Sequence, residues 1–131
     1  MKAKLQKRIG TAVLGLALVS HGLPAWAGNV YLNGEVQVRT SDASGTLTGA
    51  RYSADSKQYI GCSFSHPSLG LIVDCSARDK TGKSLSCWSN DARFVDAVKA
   101  ITDSSFIFFT VTPDTGSCGE LVVTNNSSFL R

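Results

Sequence analysis

Four cysteines and His66 are the residues of this sequence with the clearest potential for metal or redox chemistry. The segment YIGCSFSHPSLGLIVDCSARD contains Cys62 and Cys75 with His66 between them, and Cys87 and Cys118 follow later in the chain. Cysteine-rich zinc sites usually contain close C-x-x-C pairs, and dithiol redox sites use the same motif. Because the four cysteines are widely spaced, we predict no metal and no cofactor. The spacing favours structural disulfide bonds instead.

The N-terminal segment predicts export from the cytoplasm. Four basic residues lie within the first eight positions, an apolar stretch occupies residues 9–19, and Ala25 and Ala27 flank Trp26. This order is typical of a secretory signal peptide, residues 1–27, that is cleaved after Ala27. The apolar stretch is well short of the roughly 20 residues that span a bilayer. We therefore predict that residues 28–131 form a single secreted or periplasmic domain without a transmembrane span.

The balance of charge argues against a nucleic-acid partner. The predicted signal peptide contains four of the 13 basic residues, so 9 remain in the secreted domain against 10 acidic residues. Nucleic-acid binding depends on clustered lysine and arginine side chains that neutralise phosphates. The remaining cations are scattered, mostly beside an acidic residue, which is typical of a mixed solvated surface.

In an oxidising compartment, an even number of cysteines in a small domain favours disulfides. Four cysteines allow three connectivities. If the first hairpin turns at residues 68–69, Cys62 and Cys75 stand opposite each other on paired strands. Cys87 and Cys118 then form the second pair, between the strand before the helix and the last strand. A slip of one residue in the hairpin register would remove this match, so the other connectivities stay open.

The elements that must position these residues are mostly strands. Alternating apolar and polar residues predict a strand at Val30–Thr40, and Ser41–Gly49 is typical of a polar loop. Helical spacing of apolar residues predicts one amphipathic helix around Asp91–Ile101. The fold class is therefore predicted as α+β: a small antiparallel sheet of about five to six strands, a meander plus a C-terminal hairpin, covered by the helix and stabilised by disulfides. The other predicted strands are Gln58–Ser65, Leu71–Arg78, Lys83–Trp88, Ser105–Thr112 and Cys118–Thr124.

Short motifs around the cysteines resemble those of a family of small secreted bacterial proteins with four spaced cysteines and no established function. The resemblance covers residues 58–129. It implies export and spaced cysteines, and it supplies no catalytic residues. The motifs are Tyr59-Ile60-Gly61-Cys62, Val73-Asp74-Cys75-Ser76-Ala77-Arg78-Asp79, Cys87-Trp88-Ser89-Asn90-Asp91 and Gly116-Ser117-Cys118, the last ahead of Leu121-Val122-Val123.

One motif has an enzymatic counterpart. Asp114-Thr115-Gly116-Ser117 resembles the active-site sequence of aspartic proteases, which need two facing aspartates that share one proton. A single copy would require a homodimer. Pro113 directly precedes the motif, and the sequence Pro-Asp-Thr-Gly is typical of a reverse turn that the glycine completes. We therefore expect a turn here rather than a catalytic centre.

No other residues form a convincing catalytic set. His66 is the one histidine of the predicted secreted domain, and it lies beside Pro67 in a predicted turn, which favours an exposed side chain over a catalytic base. Asp74 and Asp79 show no pattern of a glycosidase pair. The sequence therefore predicts that the protein is not an enzyme and has no catalytic residues.

The favoured interpretation is a non-enzymatic binding or structural domain, with another extracytoplasmic protein as its partner. Two alternatives remain open. An inhibitor of a secreted hydrolase would present a rigid exposed loop, either Ser41–Gly49 or His66–Gly70. A small hydrolase would need a cleft with converging polar groups. An exposed aromatic cluster around Tyr31, Tyr52 or Trp88 would favour the binding domain, and the sequence leaves the oligomeric state open.

Overall fold

The computed structural model describes residues 34–68 and 70–130. The predicted signal peptide and the first residues of the predicted strand Val30–Thr40 lie outside these ranges. Within them the chain forms seven strands and two α-helices, so the α+β class is confirmed. The elements are β1 (Gln37–Val38), β2 (Asp42–Thr46), α1 (Leu47–Arg51), β3 (Tyr59–Ser65), β4 (Ile72–Arg78), β5 (Ser84–Ser89), α2 (Ala92–Lys99), β6 (Ser105–Val111) and β7 (Cys118–Asn125), followed by a 3₁₀ turn at Ser127–Phe129.

The three-stranded sheet is the predicted meander, with the order β3-β4-β5 and antiparallel pairing throughout. A tight turn joins β4 to β5. The Asp79 carboxylate accepts hydrogen bonds from the backbone N–H groups of Thr81 and Lys83 at 2.9 and 3.1 Å. Gly82 has a φ of +93°, a conformation that glycine adopts without a steric penalty. The sequence Asp-Lys-Thr-Gly therefore forms the turn for identifiable local reasons.

The four-stranded sheet has the order β1-β2-β6-β7, again antiparallel. Strand β6 is central, and its residues alternate in burial as a period of two requires: Ser105, Ile107 and Phe109 are fully buried. The hairpin between β6 and β7 turns at Pro113–Gly116, as predicted. Gly116 has a φ of +67°, and its N–H donates to the Thr112 carbonyl at 2.9 Å.

Helix α2 covers the core. The side chain of Asp91 accepts a hydrogen bond from the backbone N–H of Arg93 at 2.9 Å and so caps the first turn. Val95 and Val98 are buried, and Phe94 packs against the same cluster. The predicted amphipathic helix is therefore present, two residues shorter at its C-terminal end. No helix in the described part of the chain is both long and apolar enough to span a membrane.

Three features differ from the sequence prediction: there are two sheets instead of one, seven strands instead of five or six, and a second helix. The extra strand and the second helix arise from the segment Ser41–Gly49, which we predicted as a loop. Its small residues pair along β6, from Asp42 opposite Thr110 to Thr46 opposite Phe106. Gly45 lies so close to β1 that a Cβ there would meet the Val36 Cα at 3.0 Å. Backbone pairing with an aromatic-rich strand overrides the weak strand propensity of Asp-Ala-Ser-Gly-Thr.

Candidate functional site

The four cysteines form two disulfides, Cys62–Cys75 and Cys87–Cys118. These are the two pairs that the hairpin register predicts. Cys62 stands directly opposite Cys75 in the β3–β4 ladder, with their Cα atoms 4.0 Å apart. The second disulfide joins β5 of the three-stranded sheet to β7 of the four-stranded sheet. It therefore crosslinks the two sheets, whereas the first lies within one sheet.

The two disulfides are neighbours in space. Cys75 is paired with Cys87 in the β4–β5 ladder, and the sulfur atoms of Cys75, Cys87 and Cys118 all lie within 4.8 Å of one another. Three clustered thiolates could bind a soft metal ion. Here each of these sulfurs is in a disulfide, so it has no thiolate to offer as a ligand.

One face of the three-stranded sheet combines exposed aromatic and charged side chains. The register places Tyr59 beside Arg78 at one corner and Trp88 beside Asp74 at the opposite corner. Val73, Cys75 and Ala77 point to the other face, which is buried, because side chains alternate along β4. We call the exposed side the outer face. It consists of Tyr59, Gly61, Ser63, Asp74, Ser76, Arg78, Ser84, Ser86 and Trp88.

Arg78 is held in place by its two neighbours across the sheet. Its guanidinium carbon lies 5.7 Å from the centre of the Tyr59 ring, within the range of a cation–π contact. Its Nε donates to the hydroxyl of Ser84 at 2.9 Å. Tyr59 is 42 % exposed, so this corner presents an ordered aromatic and cationic pair to solvent.

Trp88 lies at the junction of the two sheets and is 47 % exposed. Its backbone N–H donates to the Gly116 carbonyl at 3.3 Å, and an isolated parallel bridge pairs it with Ser117. Its main chain is therefore fixed by the turn that contains the protease-like motif. The indole stays accessible on the outer face, opposite the exposed side chain of Asp74.

Small residues separate these two corners. Gly61, Ser76 and Ser86 form one row across all three strands. A Cβ atom added at Gly61 would meet no heavy atom within 4 Å, so the centre of the face is open. The outer face thus has aromatic groups at two corners and no bulky side chain between them.

The residues with possible catalytic roles are not brought together. His66 is exposed in the connection between β3 and β4, and Asp114 is exposed in the β6–β7 turn. Within that turn the hydroxyls of Thr115 and Ser117 lie 2.6 Å apart and bond to each other. The motif therefore forms the predicted reverse turn. Asp74 lies on β4 and Asp79 in the following turn, where the latter bonds to the turn itself.

A concavity of about 510 Å³ lies beside α1. The described residues that line it include one cation, Arg51, and one carboxylate, Asp103, but none of the histidine or cysteine side chains considered above. Its volume falls in the range of small-molecule sites. Four of its five described lining residues have polar side chains, which is the feature that the hydrolase alternative needs. Its other lining residues are Leu47, Thr48 and Tyr52.

No protein-family profile, curated protein or solved structure matches this chain.

Sequence reasoning identified the cysteine pairs but not the outer face as a unit. Of the three residues around which an exposed aromatic cluster would favour a binding domain, Tyr52 and Trp88 are exposed, and Tyr31 lies outside the described residues. Tyr59 and Arg78 were missed. The signal for them was available, because both are large side chains on the polar side of strands whose other face is apolar.

Proposed function

We propose that this chain is an extracytoplasmic, disulfide-stabilised binding domain without enzymatic activity, and that its outer face contacts another protein. The observation that carries the proposal is the pair of exposed aromatic corners, Tyr59 with Arg78 and Trp88 with Asp74, on one face of the same sheet. Tryptophan, tyrosine and arginine are the residue types that contribute most binding energy in protein–protein interfaces.

The composition of the face favours a protein over a polyanion. Arg78 and Asp74 carry opposite charges, and small hydroxyl side chains lie between them. A polyanion would require several clustered cations. Exposed tyrosine, tryptophan and arginine side chains are the residue types enriched in protein–protein interfaces.

The proposed location has two supports. Two disulfides fit an oxidising compartment, since cytoplasmic thiols are normally kept reduced. The predicted signal peptide, residues 1–27, supplies the route of export, with cleavage after Ala27. The proposed membership of a family of small secreted bacterial proteins with four spaced cysteines rests on the motifs quoted above.

One of the two loops considered for the inhibitor alternative is not an exposed loop in the structure. Ser41–Gly49 contains β2 and the start of α1, and Ala43, Gly45 and Thr46 within it are buried. It cannot serve as an exposed loop that enters a protease active site. The connection from His66 to Gly70 is the remaining candidate, and no further observation singles it out.

The test uses substitutions that alter the outer face without disturbing the fold. Gly61→Arg places a long side chain at the open centre of the face, and Trp88→Ala removes one aromatic corner. Thr124→Arg is the matched control, because Thr124 is exposed on β7 of the other sheet. Each immobilised variant is incubated with the extracytoplasmic fraction of the source cells, and captured proteins are quantified by mass spectrometry.

We expect a protein captured by the unaltered chain to be retained by Thr124→Arg and lost by both outer-face variants. Thermal unfolding of each variant shows beforehand that the fold is intact. Equal capture by all four chains, or no specific capture by the unaltered chain, would contradict the proposal.

A further inference from the structure

The cysteines form a continuous row across the three-stranded sheet. Cys62 on β3, Cys75 on β4 and Cys87 on β5 occupy one line of the ladder. Cys118 extends the row into the other sheet through its disulfide with Cys87. Cys75 is the shared position, since it is bonded to one neighbour and in register with the other. Its sulfur lies within 4.8 Å of both sulfurs of the second disulfide.

Access to the row is greatest at Cys62. Cys62 is half-buried, whereas Cys75, Cys87 and Cys118 are only 1 %, 4 % and 9 % exposed. A thiol in solution can therefore reach the Cys62 end of the row first. Thiol–disulfide exchange proceeds by attack of a thiolate on a disulfide sulfur, so access decides which sulfur is attacked.

We infer that the four cysteines form an internal disulfide-exchange site that an external thiol opens at Cys62. In the first step the external thiolate attacks the Cys62 sulfur and forms a mixed disulfide. The Cys62–Cys75 bond breaks, and its electron pair leaves on the Cys75 sulfur. The external thiol is any monothiol that can reach Cys62, and its sulfur forms the mixed disulfide with the Cys62 sulfur.

In the second step the Cys75 thiolate attacks the Cys87 sulfur. A Cys75–Cys87 bond forms, the Cys87–Cys118 bond breaks, and the electron pair leaves on Cys118, which takes a proton from water. Two disulfides exist before and after the sequence, so no further oxidant or reductant is needed. The new bond joins residues directly opposite each other in the β4–β5 ladder, as the original bond does in the β3–β4 ladder.

The exchange changes what the second disulfide connects. In the described structure Cys87–Cys118 crosslinks β5 to β7 and hence one sheet to the other. After exchange the crosslink lies within the three-stranded sheet, and Cys118 is released. The contact between the sheets at this point then depends on the backbone bridge between Trp88 and Ser117. An external thiol thus loosens the junction beside the Trp88 corner of the outer face.

Two single substitutions separate this exchange from general destabilisation. Cys62→Ser and Cys75→Ser both remove the same disulfide, so both lose the same crosslink. The first leaves a free thiol at Cys75, inside the cluster, and the second leaves it at Cys62, at the outer end of the row. Only the first has a nucleophile beside the second disulfide.

The readout is the pattern of disulfide-linked tryptic peptides. Each purified chain is kept at pH 8, quenched with acid, treated with N-ethylmaleimide in denaturant and digested. The cleavage sites place Cys75, Cys87 and Cys118 in separate peptides, residues 58–78, 84–93 and 100–131. In Cys62→Ser we expect a link between 58–78 and 84–93, with maleimide on Cys118. In Cys75→Ser we expect only the link between 84–93 and 100–131, with maleimide on Cys62.

An unchanged Cys87–Cys118 link in Cys62→Ser, with maleimide confined to Cys75, would overturn the inference. The unaltered chain gives an independent test if the variants do not fold. After incubation with reduced glutathione and the same quench, we expect glutathione on Cys62 together with the 58–78 to 84–93 link. Glutathione on Cys62 with the second disulfide intact would also overturn it, since the released Cys75 would then have failed to react.

Discussion

The four-stranded sheet contributes the two largest fully buried side chains of the core, Ile107 and Phe109, both on β6. In the three-stranded sheet the buried positions hold smaller groups, Val73, Cys75 and Ala77 on β4, and three of the four cysteines lie on this sheet. The first sheet thus supplies the largest apolar side chains of the core, and the second supplies most of the crosslinked cysteines. A domain of this size buries limited apolar surface, and disulfides compensate where side chains are small.

The largest expected change in stability comes from removing Phe109, the largest fully buried side chain. Phe109→Ala leaves a cavity in the centre of the core, and we expect a loss of about 3–5 kcal/mol in the free energy of unfolding. The matched control is Phe64→Ala on β3, where the ring is 38 % exposed, and we expect a loss of about 1 kcal/mol. Urea denaturation measures both. Equal losses would show that apolar burial does not distinguish the two sheets.

Removing each disulfide in turn tests how much the two crosslinks contribute to stability. Replacing Cys87 and Cys118 with alanine opens a crosslink with a sequence separation of 31, and loop-entropy arguments give a loss of about 3.7 kcal/mol. Replacing Cys62 and Cys75 opens a separation of 13, for which the same argument gives about 3 kcal/mol. Thermal unfolding of both double variants checks the order. A larger loss for the shorter loop would mean that native contacts, and not chain entropy, dominate.

Two glycines differ in the space that a Cβ atom would have: the surroundings of Gly49 are crowded and those of Gly61 are open. A Cβ at Gly49, in α1, would lie 1.9 Å from the Gly34 carbonyl oxygen, so Gly49→Ala should cost about 1–3 kcal/mol. A Cβ at Gly61, on β3, meets nothing within 4 Å, and Gly61→Ala should stabilise by about 0.4–1 kcal/mol through the unfolded chain. Chemical denaturation of the two variants measures the difference. Similar effects at both positions would contradict the assigned close approach at Gly49.

The smallest expected effect concerns the turn between β4 and β5. The Thr81 hydroxyl donates to the Asp79 carboxylate and lowers the pKa of Asp79 below its usual 3.8, and backbone N–H groups act in the same direction. A lowered folded-state pKa adds stability that is complete above pH 3.8 and is lost as the pH falls through the lowered value. Asp79→Asn should therefore reduce the slope of the free energy of unfolding against pH in the acid range, measured by chemical denaturation at a series of pH values. An unchanged slope would show that Asp79 does not contribute to it.

Local signals were sufficient for the hairpins and for α2. The turn residues of Asp79–Gly82 and Pro113–Gly116 fix chain reversals by themselves. The predicted turn of the first hairpin, at residues 68–69, gives the register that pairs Cys62 with Cys75. The apolar spacing of Phe94, Val95 and Val98 likewise predicts α2 and its buried side. These predictions succeeded because each depends on residues within one turn or one strand.

The candidate site was predictable only in part. The disulfide pairs follow from one hairpin and from elimination. The outer face requires knowing that Tyr59, Arg78 and Trp88 share one side of a sheet, which depends on the register of two ladders. A single strand shows which of its own residues alternate, but not which residues of other strands lie beside them.

The sequence by itself determined the α+β class, the central hairpins and the amphipathic helix, because local spacing and turn chemistry carry that information. It favoured the observed disulfide partners, and the structure settled them. Only the tertiary structure decided that Ser41–Gly49 is strand and helix, since its pairing partner, β6, lies about 60 residues away in the chain. It also decided the split into two sheets and the close approach of Cys75 to the second disulfide. These features depend on contacts between distant segments, whose cost in chain entropy is offset only when the whole core assembles.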